Sequence, residues 1–147
     1  MDPHWHLPDT GPNRLADSIF TRQNGKLSAM SRASDQVGRL GEKAAQKLLK
    51  RTGYRIVARN YRCPLGEVDL IALDGEELVF VEVKTRQTDD ADPEQQVHRR
   101  KQSKLRLAAR HYVHAAHAEN RPCRFDVVAV ILDRQGTPEI RHYKDAF

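Results

Sequence analysis

The sequence predicts an α/β domain: a mixed β-sheet with helices packed on it, in the order α-β-β-β-α-β-β. Three observations carry that expectation. Gly66 to Arg86, GEVDLIALDGEELVFVEVKTR, alternates apolar and polar residues on both sides of Asp74-Gly75, a strong hairpin signal. Segments 34–52 and 96–118, on either side of that hairpin, repeat apolar residues at helical spacing. Near the C-terminus, Phe125 and then Val127 to Leu132 form an apolar run suited to an interior strand.

Residues 1–33 hold Pro3, Pro8, Gly11 and Pro12 among scattered polar residues. Without periodicity they are expected to be a disordered extension, with one domain over 34–147. Ser34 or Asp35 suits the cap of a helix reaching about Thr52, with Val37, Leu40, Gly41, Ala44 and Leu48 as its apolar stripe. Gly53 ends it. Tyr54 to Arg62 is the first strand, and Cys63-Pro64-Leu65-Gly66 turns it into the hairpin, Glu67–Leu73 and Leu78–Thr85.

The polar loop Gln87 to Gln95 follows, and its Asp89, Asp90, Asp92 and Glu94 fit a solvated loop better than a second metal site. In the next helix, Gln96 to Ala118, Leu105, Ala108, Ala109, Tyr112, Val113 and Ala116 share the inward face. Arg121-Pro122 breaks it. Arg124 to Leu132 is expected to run parallel to the Glu82 strand through a right-handed crossover, with Asp126 as an arginine's partner. Glu139 to Tyr143 is the last strand.

A length of 147 residues suits one domain, and 39% apolar with 31% charged residues places it among soluble globular chains. No stretch approaches the ~18 uninterrupted apolar residues of a membrane span, so no membrane partner is expected. Cys63 and Cys123 make no disulfide or metal spacing, which suits reduced thiols in the cytoplasm. The net charge is +5, and residues 1–36 carry four acidic and four basic groups. The whole excess therefore lies after them and favours an anionic partner.

The hairpin carries the chemistry. Val68, Leu70 and Ala72 should share a core face with Val79, Val81 and Val83. If Leu73 pairs with Leu78, then Ile71 faces Phe80, Asp69 faces Glu82 and Glu67 faces Lys84. Like charges opposite each other on paired strands destabilise a sheet. Either a hard cation is held there, or a solvated strand end is balanced by Lys84 and nearby arginines. The hairpin alone leaves both open. On the second helix Arg99, Arg100, Lys104, Arg106 and Arg110 lie mostly off the apolar stripe, which suits phosphate contact or an ordinary solvated face equally. Lys101, one turn before Leu105, points inward.

Asp69, with Glu82-Val83-Lys84 on the next strand, resembles the PD-(D/E)xK nuclease superfamily. The stretches GRLGEKAAQKLL, GEVDLIA, VFVEVKTR, KQSKLRLAARHY, CRFDVVAV and KDAF run in that order from Gly38 to Phe147. They resemble the YraN-like family of small bacterial proteins, which is similar to archaeal Holliday-junction resolvases. The resemblance implies a restriction-endonuclease-like core. It also implies hydrolysis of phosphodiester bonds in DNA, structured or branched, with Mg²⁺ as cofactor and Mn²⁺ as substitute.

The resemblance makes Asp69 and Glu82 metal ligands, with the Val83 carbonyl as a third. Glu42, from the first helix, would bind directly, through water, or at a second ion. Lys84 would orient the attacking water and stabilise charge; as a base it is opposed by the adjacent carboxylates, which would raise its pKa, so that only strong burial or metal charge could lower it. Glu67 would support Lys84 or an arginine. Lys101 would approach the site or its phosphate, and Arg99, Arg100, Lys104 and Arg106 would contact nucleic acid. Val68 stands where the superfamily pattern has proline. The alternative is a nucleic-acid-binding protein that keeps the fold and turns nothing over. A homodimer would suit a two-fold junction by analogy.

Overall fold

The computed structural model describes residues 29–88 and 99–147. Strands β2 (Gly66–Asp74) and β3 (Glu77–Gln87) form the expected antiparallel hairpin, with Leu73 opposite Leu78 and Ile71 opposite Phe80. Gly75 makes the turn tight by adopting φ 61°, a region that side chains disfavour. Helix α1 (Ala29–Arg51) and strand β1 (Arg55–Cys63) precede the hairpin. Helix α2 (Arg99–Ala115), β4 (Cys123–Leu132) and β5 (Pro138–Tyr143) follow it. The five strands make one sheet in the order β1-β2-β3-β4-β5. β4 runs parallel to β3, with Val127 opposite Glu82, and every other neighbour is antiparallel. This is the predicted α-β-β-β-α-β-β arrangement, a mixed α/β fold consistent with a restriction-endonuclease-like core.

The sheet is buried on both faces, which explains the apolar character of both sides of the hairpin. On one face Ala45 and Leu49 of α1 pack against Leu70, Ala72, Val79 and Val81. On the other, Leu105, Ala108, Ala109 and Tyr112 of α2 pack against Ile71, Leu73, Leu78 and Phe80. Each large side chain so buried contributes about 1.5–3 kcal/mol.

Three local features depart from the sequence expectation. α1 begins at Ala29, ahead of Ser34 and Asp35, because no glycine or proline interrupts Ala29 to Asp35. Its buried line is Gly41, Ala45 and Leu49, while Leu40 is 46% exposed. Gly41 sets that rotation: a Cβ there would lie 1.8 Å from Thr85 Oγ1, so the helix rests on β3 through the residue that lacks a side chain. α2 ends at Ala115, short of the expected Ala118, where His117 turns to φ 50° and Ala118 N–H donates to the Val113 carbonyl at 2.9 Å.

The third departure bears on the site. Val68 packs with Ile71 and Leu73, not with Leu70 and Ala72. Arg59 pairs with Leu70 and Tyr61 with Val68, and between those pairs stand Asn60, at φ 48°, and Asp69. The alternation of side chains breaks there. The expected extension up to residue 28 and the acids Asp89, Asp90, Asp92 and Glu94 lie outside the described residues.

At the turn end of the hairpin, fully buried Asp126 anchors the last strand. Its Oδ1 accepts from Arg124 Nε at 2.8 Å and Asp145 N–H at 3.0 Å, and its Oδ2 lies 2.7 Å from His142 Nε2. Arg124 also donates to Glu77 at 2.7 Å. Burial alone would raise the Asp126 pKa, but the bonds from His142, Arg124 and Asp145 outweigh it and hold the carboxyl at about 2. The arginine partner was expected; His142 and Asp145 were not.

Candidate active site

β2 and β3 stay paired as far as Leu70 and Val81, and there the ladder ends. A side chain takes the next place: Val83 N–H donates to Asp69 Oδ2 at 2.8 Å. What Val83 presents to Asp69 is thus its N–H, where the sequence suggested its carbonyl for a metal. Glu82 is 4% exposed and forms an ion pair with Lys101 Nζ, which arrives from the inward stripe of α2 as predicted. The Asp69 and Glu82 side chains also interact directly. Two carboxylates from neighbouring strands therefore converge.

The electrostatics follow from that crowding. Burial first, and the Glu82 charge second, push Asp69 up to about 7, against the Val83 N–H and the Lys101 ammonium. Burial would lower Lys101, but its bond to Glu82 prevails and raises it. Lys84 moves the other way. Burial draws its pKa below the usual lysine range, Glu82 opposes, and Lys101 and Arg86 add to the fall. Burial thus outweighs the adjacent carboxylate, the route by which the sequence argument allows a lowered pKa.

Glu42 faces a hollow of about 450 Å³ between α1 and β3, shared with Val37, Gly38, Asp69, Thr85 and Arg86. Asn60 Nδ2 donates to Glu42 Oε2 at 3.3 Å. Burial raises the Glu42 pKa, the Asn60 bond opposes, and the Asp69 charge adds to the rise. Glu42 thus shares the cavity with Asp69. Among the described residues, however, no three His, Cys, Asp or Glu side chains gather closely enough to hold a metal. Asp69 and Glu82 are the donors on offer. The Lys101 ammonium is the countercharge of Glu82, and a hard cation, which keeps several waters and needs only one or two carboxylate ligands, would have to displace it.

Glu67 is not opposite Lys84. The β2–β3 ladder stops before it, and on the other edge of β2 Glu67 is registered with Arg62 of β1, with which it pairs at 3.5 Å on the surface.

Residues 41–130 match the family model described as Uncharacterised protein family UPF0102, which spans more than half the chain. The chain belongs to UPF0102, the YraN-like family. It is 52% identical over 99 residues to the UPF0102 protein of Moorella thermoacetica, covering 67% of this chain and 82% of that one. Against the UPF0102 protein of Pelotomaculum thermopropionicum the identity is 42% over 120 residues, or 80% of this chain and all of the relative. The Beutenbergia cavernae UPF0102 protein is 48% identical over 116 residues, 77% of this chain and 97% of its own length. The matched span of this UPF0102 chain takes in Glu42, Asp69, Glu82, Lys84 and all of α2.

The expected basic residues separate in space. Arg100, Lys101 and Lys104 line a groove of about 700 Å³ between α2 and the β1–β2 turn. Arg99 is exposed at the start of α2. Arg106 leaves this group: its guanidinium lies over the rings of Phe125 at 5.8 Å and Phe147 at 5.4 Å. Asn60, beside Glu42, is a contributor that the sequence does not single out, whereas Arg62, for which phosphate contact and a solvated strand edge are both open in the sequence, lines the groove. No helix among the described residues is long and apolar enough to cross a membrane.

Proposed function

We propose that this UPF0102 chain is a metal-dependent nuclease that hydrolyses phosphodiester bonds in DNA, structured or branched DNA in particular. The observation that carries this reading is the convergence of Asp69 and Glu82 at the end of the β2–β3 ladder, with Lys101 and Lys84 beside them. Asp69 and Glu82 would hold Mg²⁺ or Mn²⁺. A bound divalent ion supplies Lewis acidity to a phosphoryl oxygen and lowers the pKa of a bound water.

The chain's own residues do the rest. Val83 N–H fixes one Asp69 oxygen, and Asp69 also lines the cavity. Lys84, half-buried on the same strand as Glu82, positions the attacking water and stabilises charge on the phosphoryl group. Glu42, across the hollow from Asp69, supports a water between them. The basic face of α2 draws in the phosphate backbone. The Lys101–Glu82 ion pair favours one alternative, a nucleic-acid-binding protein that keeps the fold without turnover, because a lysine already neutralises Glu82.

Cleavage assays separate the two. The nuclease reading expects Mg²⁺- or Mn²⁺-dependent cleavage that is lost in Asp69→Ala and Glu82→Ala while circular dichroism shows both variants folded. Purified protein that binds DNA but cuts neither linear, flapped nor four-way substrates with either metal establishes the binding role instead.

A further inference from the structure

We infer that the β1–β2 turn is the second wall of a nucleic-acid groove, in which a single strand lies between Cys63–Gly66 and the start of α2. The inference rests on the nucleic-acid reading above and adds the surface and the form of substrate. Its first support is charge. Arg62, Arg100, Lys101 and Lys104 line the groove against one acid, Glu67, which Arg62 pairs at 3.5 Å. Such a stripe tracks a phosphate backbone.

The second support is position. Lys101 lines the groove and also pairs with Glu82, so one side chain links the groove to the carboxylate pair. A strand held by Arg100 and Lys104 would reach the carboxylate pair past Lys101. The third is fixed width. A Cβ on Gly66 would lie 2.8 Å from the Lys104 carbonyl oxygen, so the turn is seated on the backbone of α2. The wall is preformed.

The fourth support selects the form of nucleic acid. Pro64 and Leu65 put an apolar edge on a basic groove, and Leu65 is 50% exposed. An exposed leucine by itself is ordinary. Facing cations across a groove, it meets the faces of bases, as apolar wedges of leucine and proline do in other nucleic-acid complexes. Base faces are open to such contact in a single strand, a flap or a branch and stacked away in continuous duplex.

The two cysteines provide the test in the unaltered protein. Cys63 lines the groove, whereas Cys123, the first residue of β4, pairs with Leu78 at the other end of the sheet. Alkylation by iodoacetamide is followed by mass spectrometry in EDTA, with and without a saturating single-stranded oligonucleotide. The expected result is slowed modification of Cys63 and an unchanged rate at Cys123. Arg62→Gln should reduce the salt slope of single-strand binding by ~0.7. Leu65→Ala should weaken that binding about tenfold, leaving the salt slope and the weaker duplex affinity in place. An oligonucleotide that binds without protecting Cys63 overturns the groove and leaves the nuclease reading standing. If neither single-stranded nor branched DNA binds at all, the nucleic-acid reading falls, and the groove with it.

Discussion

Lys101→Met should tighten metal binding. The Lys101 ammonium pairs with Glu82, one of the two proposed ligands, so a divalent ion bound there must displace it. Methionine keeps an unbranched apolar stem, one atom shorter, and removes the ammonium with its charge and its N–H donors. A hydrogen bond between charged groups contributes about 1.5–3 kcal/mol. The Glu82 side chain is 5% exposed but that of Lys101 is 53% exposed, so solvent screening places this pair at the lower end of that range. With about 1.4 kcal/mol per factor of ten, the dissociation constant for Mg²⁺ or Mn²⁺ should fall about tenfold. Titration calorimetry without nucleic acid measures it. Thermal unfolding gives an independent readout: in chelator the variant should melt lower than the parent, because Glu82 loses its countercharge, and added metal should raise its melting temperature further. Equal or weaker metal affinity would refute the reasoning, since the ammonium would then not occupy the place of the ion.

Gly41→Ala should destabilise the fold by about 1–3 kcal/mol through its clash with Thr85. Thr85→Ala should recover part of that loss in a double-mutant cycle, and strict additivity would place the clash elsewhere. Asp126 has a folded pKa of about 2 against an ordinary 3.8, so the folded state binds its proton less readily than the unfolded chain does. Its contribution of about 2 kcal/mol is present above the unfolded value and is lost as pH falls through about 2; acid unfolding of Asp126→Asn should lack that segment of the curve. Arg106→Ala should lower stability by about 0.5–1 kcal/mol through the lost ring contacts and leave the salt slope of DNA binding unchanged. Neutralising Arg100 and Lys104 should reduce the slope on duplex DNA by up to ~0.9 for each contact removed, and an unchanged slope would clear α2 of that role.

What could be seen in the sequence was what depends on near neighbours. Asp74-Gly75 and the alternation around it specify the hairpin and its register, and helical spacing from Lys101 to Leu105 suffices to turn that lysine inward. The bond of Asp126 to Arg124 joins residues two apart on one strand and was equally open to view. His142 was not, because it reaches Asp126 only through the register of β4 and β5. The buried line of α1 depends on Thr85, which α1 meets only after folding. For Lys84 the sequence counts the charges nearby and says nothing of burial, and burial decides the direction.

Asp69 joins these two kinds of information. Strict alternation makes it one more rung of the hairpin and carries the pairing on to Glu67 and Lys84. In the folded chain the ladder stops at Leu70 and Val81, and the Asp69 carboxylate accepts the Val83 N–H. Asn60, on the facing strand, takes a left-handed φ at the same level. A carboxylate that replaces a backbone partner is held by the sheet yet is no longer confined to either face. It can therefore meet Glu82 on the side of α2 and Glu42 on the side of α1. An acid kept strictly in rhythm with Ile71 and Leu73 would have reached only the first of them. The position at which a period-two pattern fails is thus the position that can serve a cation, and cleavage assays on Asp69→Ala and Asp69→Asn bear on that point directly. Asparagine can still accept the Val83 N–H, so Asp69→Asn should retain the stability of the parent and lose metal binding. Full metal affinity in Asp69→Asn would show that the carboxylate serves the ladder alone.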